Sequence, residues 1–267
     1  MHFLLRVVAG SGRYAPMARQ PFISICIPAY DMGGQGGEYL LESFEHLLRQ
    51  SYEDFEVVVS DQSDSDGVAA TCKAYADRLD VTRFDYRDGA RQASANTNNA
   101  MRHARGTVLK ILFQDDYLSH RKALAQHAQA FENPATQWVL CGSGVTWDGK
   151  SLERPMVPVI NPNLHLARNT VSSPSVLAIR AGLGLEFDEN LIWLMDGDFY
   201  KRCHDRFGEP HILPDPLVAN RLHEGQVSAG VSPELRRKEL CYVREKHRAS
   251  ETLGNRFHYY KQMLKAR

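Results

Sequence analysis

Hydrophobic and polar positions follow two alternating patterns through the first half of the chain. Short apolar runs rich in β-branched residues predict buried strands, and the stretches between them, where apolar residues recur every three or four positions, predict amphipathic helices. Strands that alternate with helices favour right-handed βαβ units, so we expect an α/β fold with a mostly parallel central sheet. The predicted strands lie at 22–27, 55–59, 81–86, 107–113 and 138–141, and the predicted helices at 39–48, 66–79, 92–104 and 119–131.

The pattern is less regular in the second half. A segment rich in Pro and Asn at 150–170 predicts a long loop, and such a length is typical of a functional lid or an acceptor-binding loop. Residues 1–20 show no sustained period and predict a flexible leader, within which Met17 is an alternative start. Beyond the loop, the periodicity predicts strands at 175–179 and 217–222, a helix at 194–207 and helical structure from 233 to 267.

Composition narrows the class of protein. The 267 residues are 43% hydrophobic and 24% charged, which is typical of a soluble globular chain. Lys and Arg together number 32, as do Asp and Glu, and this balance disfavours binding to nucleic acid. Five scattered cysteines without a C-x-x-C pair predict reduced thiols rather than a zinc site or a disulfide framework. Because no apolar run is long enough to cross a bilayer and no signal peptide is evident, we expect a cytoplasmic protein.

Acidic residues gather directly after three of the predicted strands. Ligands of open α/β sheets bind at the carboxyl ends of the strands, where we expect Asp31, the segment 61–66 and the pair Asp115-Asp116 to lie. Carboxylates so close together are costly unless a cation or a hydrogen-bonded ligand lies among them. The pair suits Mg²⁺ or Mn²⁺, which take oxygen ligands. The alternative is that Asp116 caps the helix that follows it.

Three segments in a fixed order carry a resemblance to a known family. They read PFISICIPAYDM, LLRQSYEDFEVVVSDQSDSDG and SANTNNAMRHARGTVLKILFQDDYL, and weaker matches follow in LIWLMDGDFYKR and NRLHEGQVS. With these segments the chain resembles the enzymes of glycosyltransferase family 2, closely over residues 21–150 and more weakly to about residue 230. The resemblance implies a GT-A fold, which is Rossmann-like with helices flanking the sheet, followed here by a helical C-terminal extension. It also implies an inverting transfer of a sugar from a nucleotide-diphosphate donor.

The resemblance implies a donor site at the strand ends. The residues around the first strand end are expected to line the nucleoside pocket, and Asp61 is expected to accept a hydrogen bond from the base. Asn98 matches the family's asparagine near the sugar-nucleotide. The implied donor-binding residues are Pro28, Ala29, Tyr30, Asp31, Asp61, Asn98 and Gln114.

A second implied set comprises the metal ligands and the acceptor side. Asp115 is the expected principal ligand of Mn²⁺ or Mg²⁺ and Asp116 the second, while His223 is either a further ligand or an ordinary loop histidine. Asp196 is the expected general base, with Asp198 as the alternative, and Asp196 also suits an N-cap position at the start of its helix. The base removes the proton of an acceptor hydroxyl as it attacks the anomeric carbon, and the cation stabilises the departing diphosphate.

The C-terminal segment is strongly basic. From 234 to 267, ten basic residues stand against four acidic ones, with tyrosines among them. A solvated basic face is the commoner origin of such a segment. The alternative is peripheral contact with an anionic membrane at its inner face, which would suit a lipid-linked acceptor.

These observations divide the chain into a leader at 1–20, a nucleotide-sugar-binding half at 21–150, an acceptor-binding half of the same domain at 151–232 and basic C-terminal helices at 233–267. The expected function is metal-dependent glycosyl transfer from a UDP-linked donor to a saccharide or lipid-linked acceptor, in bacterial polysaccharide or glycoconjugate synthesis.

Two other functions stay open at the level of sequence. Gln62, Thr97 and Phe113 depart from the family's pattern, which suits a sugar-nucleotide-binding protein without catalysis. A nucleotidyltransferase has a similar α/β layer, but the glycine-rich turn at 33–37 lacks the basic residue that such enzymes use to bind phosphate.

Overall fold

The computed structural model describes residues 20–223 and 230–266. Apart from Gln20, the predicted leader lies outside the described residues. The strands are β1 (Ile23–Ala29), β2 (Phe55–Asp61), β3 (Val81–Asp85), β4 (Val108–Ile111), β5 (Tyr117–Leu118), β6 (Trp138–Thr146), β7 (Glu153–Met156), β8 (Leu177–Arg180) and β9 (His211–Arg221). The helices are α1 (Gly36–Leu48), α2 (Gly67–Tyr75), α3 (Ala93–His103), α4 (Ala123–Ala130), α5 (Met195–Phe207), α6 (Pro233–Lys246) and α7 (Leu253–Lys265).

The described strands form one sheet in the order β3-β2-β1-β4-β8-β6-β9-β5, with β7 paired to β6. The first four strands of this order are parallel, and helices connect them, as parallel pairing requires. β8 runs antiparallel to both β4 and β6, because the segment between β6 and β8 turns back without a helical crossover. The predicted α/β fold is confirmed, and the parallel strands β1 to β4 all lie within residues 21–150.

Three local predictions are corrected by the structure. Helix α4 begins at Ala123 rather than at Ser119, because the Ser119 hydroxyl donates to the Pro216 carbonyl at 2.5 Å and lies beside β9 instead of capping a helix. The predicted loop at 150–170 contains the short strand β7. The predicted C-terminal helical segment is interrupted after Lys246 and continues as a separate helix.

The core of the fold surrounds β1, whose seven residues are all buried. A strand covered on both faces needs no polar alternation, which explains the continuous apolar run in the sequence. The loop before β4 approaches β1 closely at Gly106, where a Cβ atom would lie 2.6 Å from the Ser24 backbone nitrogen. The glycine is therefore needed for the two strands to pair.

No helix within residues 20–223 and 230–266 combines the length and the apolar character that crossing a bilayer requires.

Candidate active site

The parallel pairing brings the predicted donor-binding residues at the ends of β1 and β2 to one edge of the sheet. Ala29 pairs with Asp61 at the ends of β1 and β2. Gln114, which follows β4, joins the ends of β4 and β1. Its Oε1 accepts from the Tyr30 backbone nitrogen at 2.5 Å, and its Nε2 donates to the Tyr30 carbonyl at 2.9 Å. Tyr30 itself is 43% exposed beside these two hydrogen bonds. Gln114 therefore fixes the backbone on which an exposed aromatic ring is presented.

Both predicted acidic residues of the donor site have protein partners. Asp31 accepts from the Asp64 and Ser65 backbone nitrogens at 2.6 and 3.1 Å. The hydrogen bond from the Ser65 hydroxyl is the largest cause that lowers the pKa of Asp31, so this carboxylate is ionised and organises the loop after β2. Asp61 is buried and pairs with Arg83 at 2.7 Å. Its second oxygen accepts from the Ser63 backbone nitrogen at 2.9 Å.

Two buried oxygen atoms near these residues have no hydrogen-bond partner within the described parts of the chain. They are Oδ1 of Asn96 and Oγ of Ser63. Asn96 lies beside the ends of β1 and β2, because its Nδ2 donates to the Ala29 carbonyl at 2.9 Å. The same oxygen accepts from the Gln62 backbone nitrogen. Buried polar atoms rarely lack a partner, so both oxygens retain unused hydrogen-bonding capacity. Sequence reasoning did not single out Asn96, although it stands two positions before Asn98.

Asn98 itself is fully buried. Its side-chain hydrogen bonds within the described residues go to Phe187 and Glu189 and not to the ends of β1 and β2. Its Nδ2 donates to the Phe187 carbonyl at 2.9 Å and to Glu189 at 3.0 Å, and its Oδ1 accepts from the Phe187 backbone nitrogen at 2.7 Å. These bonds join α3 to the segment that precedes α5. A donor contact of Asn98 stays a prediction, and the observed contacts favour a structural role.

The acidic pair after β4 divides into two different environments. Asp116 is 5% exposed, and its oxygens accept from the Arg221 backbone nitrogen at 3.0 Å and the Ser173 hydroxyl at 3.2 Å. Burial first, and then the charge of Asp115, raise the pKa of Asp116. Asp115 instead lies 3.1 Å from Nε2 of His223, and this hydrogen bond raises the pKa of His223. Asp115 and His223 are therefore brought together, while Asp116 is used to hold β9.

Arg221 and Tyr39 complete this cluster and were not named as site residues from the sequence. The Arg221 guanidinium pairs with Glu42 at 2.5 Å and lies 5.1 Å from the ring of Tyr39, which is also 5.5 Å from the ring of His223. The segment NRLHEGQVS, read as a weak family match, contains the signal for Arg221. Tyr39 had no such signal, because a tyrosine on an amphipathic helix is indistinguishable from a core residue.

The residues present fit a divalent cation that takes only a few protein ligands. Within the described ranges, no group of three or more His, Cys, Asp or Glu side chains is placed to hold a metal ion. Mg²⁺ keeps several waters and is commonly bound by one or two carboxylates together with substrate phosphates. Asp115 with His223 matches such an open arrangement, whereas Asp116 is already engaged.

On the acceptor side, Asp196 lies in the first turn of α5. Its Oδ1 accepts from the Gly197 backbone nitrogen at 2.7 Å and its Oδ2 accepts from Asn169 at 2.7 Å. Burial raises the pKa of Asp196 to about 6. No cation pairs with it among the residues that the structure describes, so this carboxylate has the environment of a general base that works near neutral pH. Leu194, not Asp196, occupies the N-cap position.

Asp198, the predicted alternative base, has a different environment. It is fully buried and accepts from His247 at 2.8 Å, Arg202 at 2.7 Å and Lys246 at 2.9 Å. Burial alone would raise the pKa of Asp198, but the bond from His247 and the two charges outweigh it and lower the pKa. A carboxylate that accepts from Arg202, Lys246 and the His247 ring is a poor proton acceptor, so Asp198 instead joins α5 to the C-terminal helices.

A second carboxylate secures the same junction. Glu239 on α6 is 2% exposed, and its two oxygens accept from the backbone nitrogens of Ile192, Trp193 and Leu194 at 2.8 to 3.3 Å. These are the groups that precede α5 and would otherwise lack partners at a helix start. The sequence contains no local signal for this contact, because 45 residues separate Leu194 from Glu239.

Comparison with known proteins agrees with the fold described above. The sequence model of Glycosyl transferase family 2 matches residues 24–180. The chain belongs to this family. Among characterised sequences it is 28% identical over 129 residues to the glycosyltransferase GlyG of Streptococcus pneumoniae, a match that covers 47% of this chain and 40% of GlyG. It is 22% identical over 240 residues to an uncharacterized glycosyltransferase of Rickettsia typhi, covering 83% and 70% of the two chains.

Two solved structures that align with this chain share its fold. TarS of S. aureus, residues 1–349 in complex with UDP-GlcNAc, aligns with a TM-score of 0.68 at 19% identity over 92% of this chain and 72% of the neighbour. The mannosyltransferase PcManGT of Pyrobaculum calidifontis, in complex with GDP-Man and Mn²⁺, aligns with a TM-score of 0.62 at 18% identity over 93% and 69%. The predicted GT-A fold is confirmed by these matches.

Proposed function

We propose that this protein is an inverting glycosyltransferase that moves a sugar from a nucleotide-diphosphate donor, UDP-linked, to a hydroxyl of a saccharide or lipid-linked acceptor. The observation that carries the proposal is Asp196, a carboxylate without a cationic partner in the described residues, whose pKa of about 6 suits a base at neutral pH. Membership of family 2 and the grouping of donor-binding residues at one sheet edge support it.

The donor would lie at the carboxyl ends of β1 and β2. Pro28 and Ala29 are buried at the end of β1, and Tyr30 is partly exposed. The oxygens of Ser63 and Asn96, which are buried and lack a partner within the described residues, are our candidate contacts of the nucleoside. The two structural neighbours were solved in complex with UDP-GlcNAc and with GDP-Man and Mn²⁺, which supports a nucleotide-sugar donor of one of these classes. A uridine donor is our proposal because Asp61 stands where the family resemblance expects a contact to the base.

In the reaction, Asp196 would accept the proton of the acceptor hydroxyl while the oxygen attacks the anomeric carbon from the face opposite the leaving group. Such a general base contributes about 10²–10⁴-fold. Asn169 and the Gly197 backbone hold both carboxylate oxygens in place. A divalent cation held by Asp115 and His223 would supply Lewis-acid stabilisation of the leaving diphosphate.

Donor binding and turnover test the proposal separately. Calorimetry with UDP-GlcNAc and with GDP-mannose, each with and without Mn²⁺, should detect binding of one donor that Mn²⁺ strengthens and that Asp115→Asn weakens. Release of nucleoside diphosphate should fall at least about 100-fold in Asp196→Asn, with an unchanged donor Kd. Asp205→Asn on the same helix is the matched control, since its carboxylate is exposed and pairs with Lys201. Turnover in Asp196→Asn equal to that of the wild type, or binding of neither donor, would refute the proposal.

The second candidate is a sugar-nucleotide-binding protein without catalysis. The observation that favours it is that Asp116, the predicted second metal ligand, accepts from the Arg221 backbone nitrogen and the Ser173 hydroxyl. Donor binding that is indifferent to Mn²⁺, together with no turnover of any donor in the wild type, would support this candidate.

We further propose a role in bacterial polysaccharide or glycoconjugate synthesis on the inner face of the membrane. The relatives named above come from bacteria, which supports the bacterial part of this role.

A further inference from the structure

Helix α7 presents an apolar stripe to the outside of the molecule. Its opposite face is held on the domain by Asn255 and Tyr259, both buried. Side chains three and four positions apart share one face of a helix, so the exposed apolar residues form a single stripe. These residues and their exposed fractions are Leu253 (81%), Phe257 (75%), Tyr260 (55%) and Leu264 (60%). The apolar periodicity of this segment therefore faces outward rather than into the core.

The stripe is flanked by basic residues on both sides. Arg256 borders it on one side and Lys261 and Lys265 on the other, since these positions are about 60° to 120° away around the helix. All three are exposed, and Leu253–Lys265 contains no Asp or Glu. A helix with an apolar stripe between basic flanks is the arrangement that lies in a membrane interface with its apolar face among the acyl chains. The basic flanks are attracted to anionic headgroups.

We propose that this stripe and its basic flanks bind the surface of a membrane that contains anionic lipid. The proposal does not depend on the transfer reaction. A second copy of the chain is the less favoured occupant, because a two-fold contact places the same patch on both sides. Lys261 and Lys265 of both copies would then line one contact to which the helix contributes no acidic side chain, while Arg256 pairs with Glu251 of its own copy at 3.2 Å.

Vesicle co-sedimentation of the full chain tests this surface. The wild type should bind vesicles of phosphatidylcholine with phosphatidylglycerol and not vesicles of phosphatidylcholine alone, and added salt should weaken the binding. Phe257→Ser with Leu264→Ser should reduce the partition at least tenfold, because both side chains lose apolar burial in the bilayer. Leu41→Ser, at a leucine that is 45% exposed on α1, is the matched control and should bind like the wild type. Lys261→Gln with Lys265→Gln should also weaken binding to the anionic vesicles, by about fivefold per charge.

Three outcomes would overturn the proposal. The first is a wild type that ignores anionic vesicles, and the second is a double serine variant that binds as well as the wild type. The third is a wild type that light scattering shows to be a dimer in solution, together with a double serine variant that is a monomer. The stripe would then be a protein interface. Both residues are exposed, so the substitutions remove no core contact, and circular dichroism of each variant checks that it folds.

The contact between Glu239 and the start of α5 carries a second, independent inference, which rests on the proposed function. Asp196 lies two residues after Leu194, whose backbone nitrogen donates to Glu239 at 2.8 Å. We infer that Glu239 is a positioning residue for the general base. It fixes the first turn of α5 and places a negative charge near Asp196. The titratable groups that interact with Asp196 are Glu239 from α6 and Tyr200 from its own helix.

The pH dependence of kcat distinguishes this role from a purely structural one. The charge of Glu239 contributes to raising the pKa of Asp196, so Glu239→Gln should move the acid limb of kcat to lower pH and reduce kcat, with an unchanged donor Kd. Glu239→Asp should restore part of kcat and the position of the acid limb. Glu245→Gln on the same helix, with a side chain 73% exposed, is the control.

The inference and the proposed function fail in different ways. An acid limb and a kcat that do not change in Glu239→Gln, while Asp196→Asn abolishes turnover, would overturn the inference alone. Turnover that survives in Asp196→Asn would overturn the function itself.

Discussion

Asp198 offers the sharpest test of how the C-terminal helices are held. The substitution Asp198→Asn keeps the shape of the side chain and removes a charge that is fully buried among Arg202, Lys246 and His247. Breaking a buried ion pair by removing one partner costs about 3–5 kcal/mol, because the remaining charges stay desolvated. Lys246 keeps Asp188 as a second partner at 2.5 Å, so we take the lower end, about 3 kcal/mol.

Urea denaturation of the full chain at neutral pH measures this loss, and a melting scan should show a fall of about 6–10 °C for a chain of this size. Asp205→Asn is the control on the same helix. Its carboxylate is 44% exposed and pairs with Lys201 one turn away, and exposed pairs of this kind contribute about 0.3–0.5 kcal/mol. A loss below about 1 kcal/mol in Asp198→Asn would contradict the assignment of a buried network.

The same variant predicts a pH dependence with a definite sign. Because the folded state lowers the pKa of Asp198, the stability that its charge contributes is present above the unfolded value of about 3.9 and is lost as the pH falls below it. The difference in unfolding free energy between the wild type and Asp198→Asn should therefore shrink below about pH 4. A difference that is as large at pH 3 as at pH 7 would show that the charge is not the source of the stability.

Three further predictions follow from single contacts. The kcat of the wild type should fall below about pH 6, because Asp196 must be ionised to accept a proton and its pKa is about 6; a rate that is flat from pH 5 to 8 would contradict this role. Asn98→Ala should lower the unfolding free energy by about 2–3 kcal/mol and leave the donor Kd unchanged, since it strands the buried Phe187 backbone groups; calorimetry showing weaker donor binding in a folded variant would instead support a ligand contact. Gly106→Ala should prevent stable folding, whereas Gly230→Ala, where nothing lies within 4 Å of the added Cβ, should melt like the wild type; equal melting temperatures would be the contrary result.

Much of the nucleotide-binding half could be predicted from the sequence, because the determining interactions there are local. β1, β2 and β6 were each placed by an apolar run, and the helices between them by their periodicity. The two-residue strand β5 and the strand β7 were not predicted, since neither has a run of its own and each exists only through its partner in the sheet.

The candidate site divides in the same way. The carboxylates after β4 and at the start of α5 were found because their residue types and positions resemble a family pattern. The sequence could not show which acid of each pair, Asp115 or Asp116 and Asp196 or Asp198, is available for chemistry. That depends on contacts with residues far along the chain. Asp116 is engaged by Arg221, 105 residues away, and Asp198 by His247, 49 residues away.

The sequence by itself therefore determined the fold class and the family, since the strands and helices of a βαβ layer and the motifs at strand ends follow from local patterns. Only the tertiary structure decided which carboxylates are paired and which remain available, and that the apolar face of α7 points outward. A side chain's charge and exposure depend on its neighbours in space, and those neighbours come from distant parts of the chain.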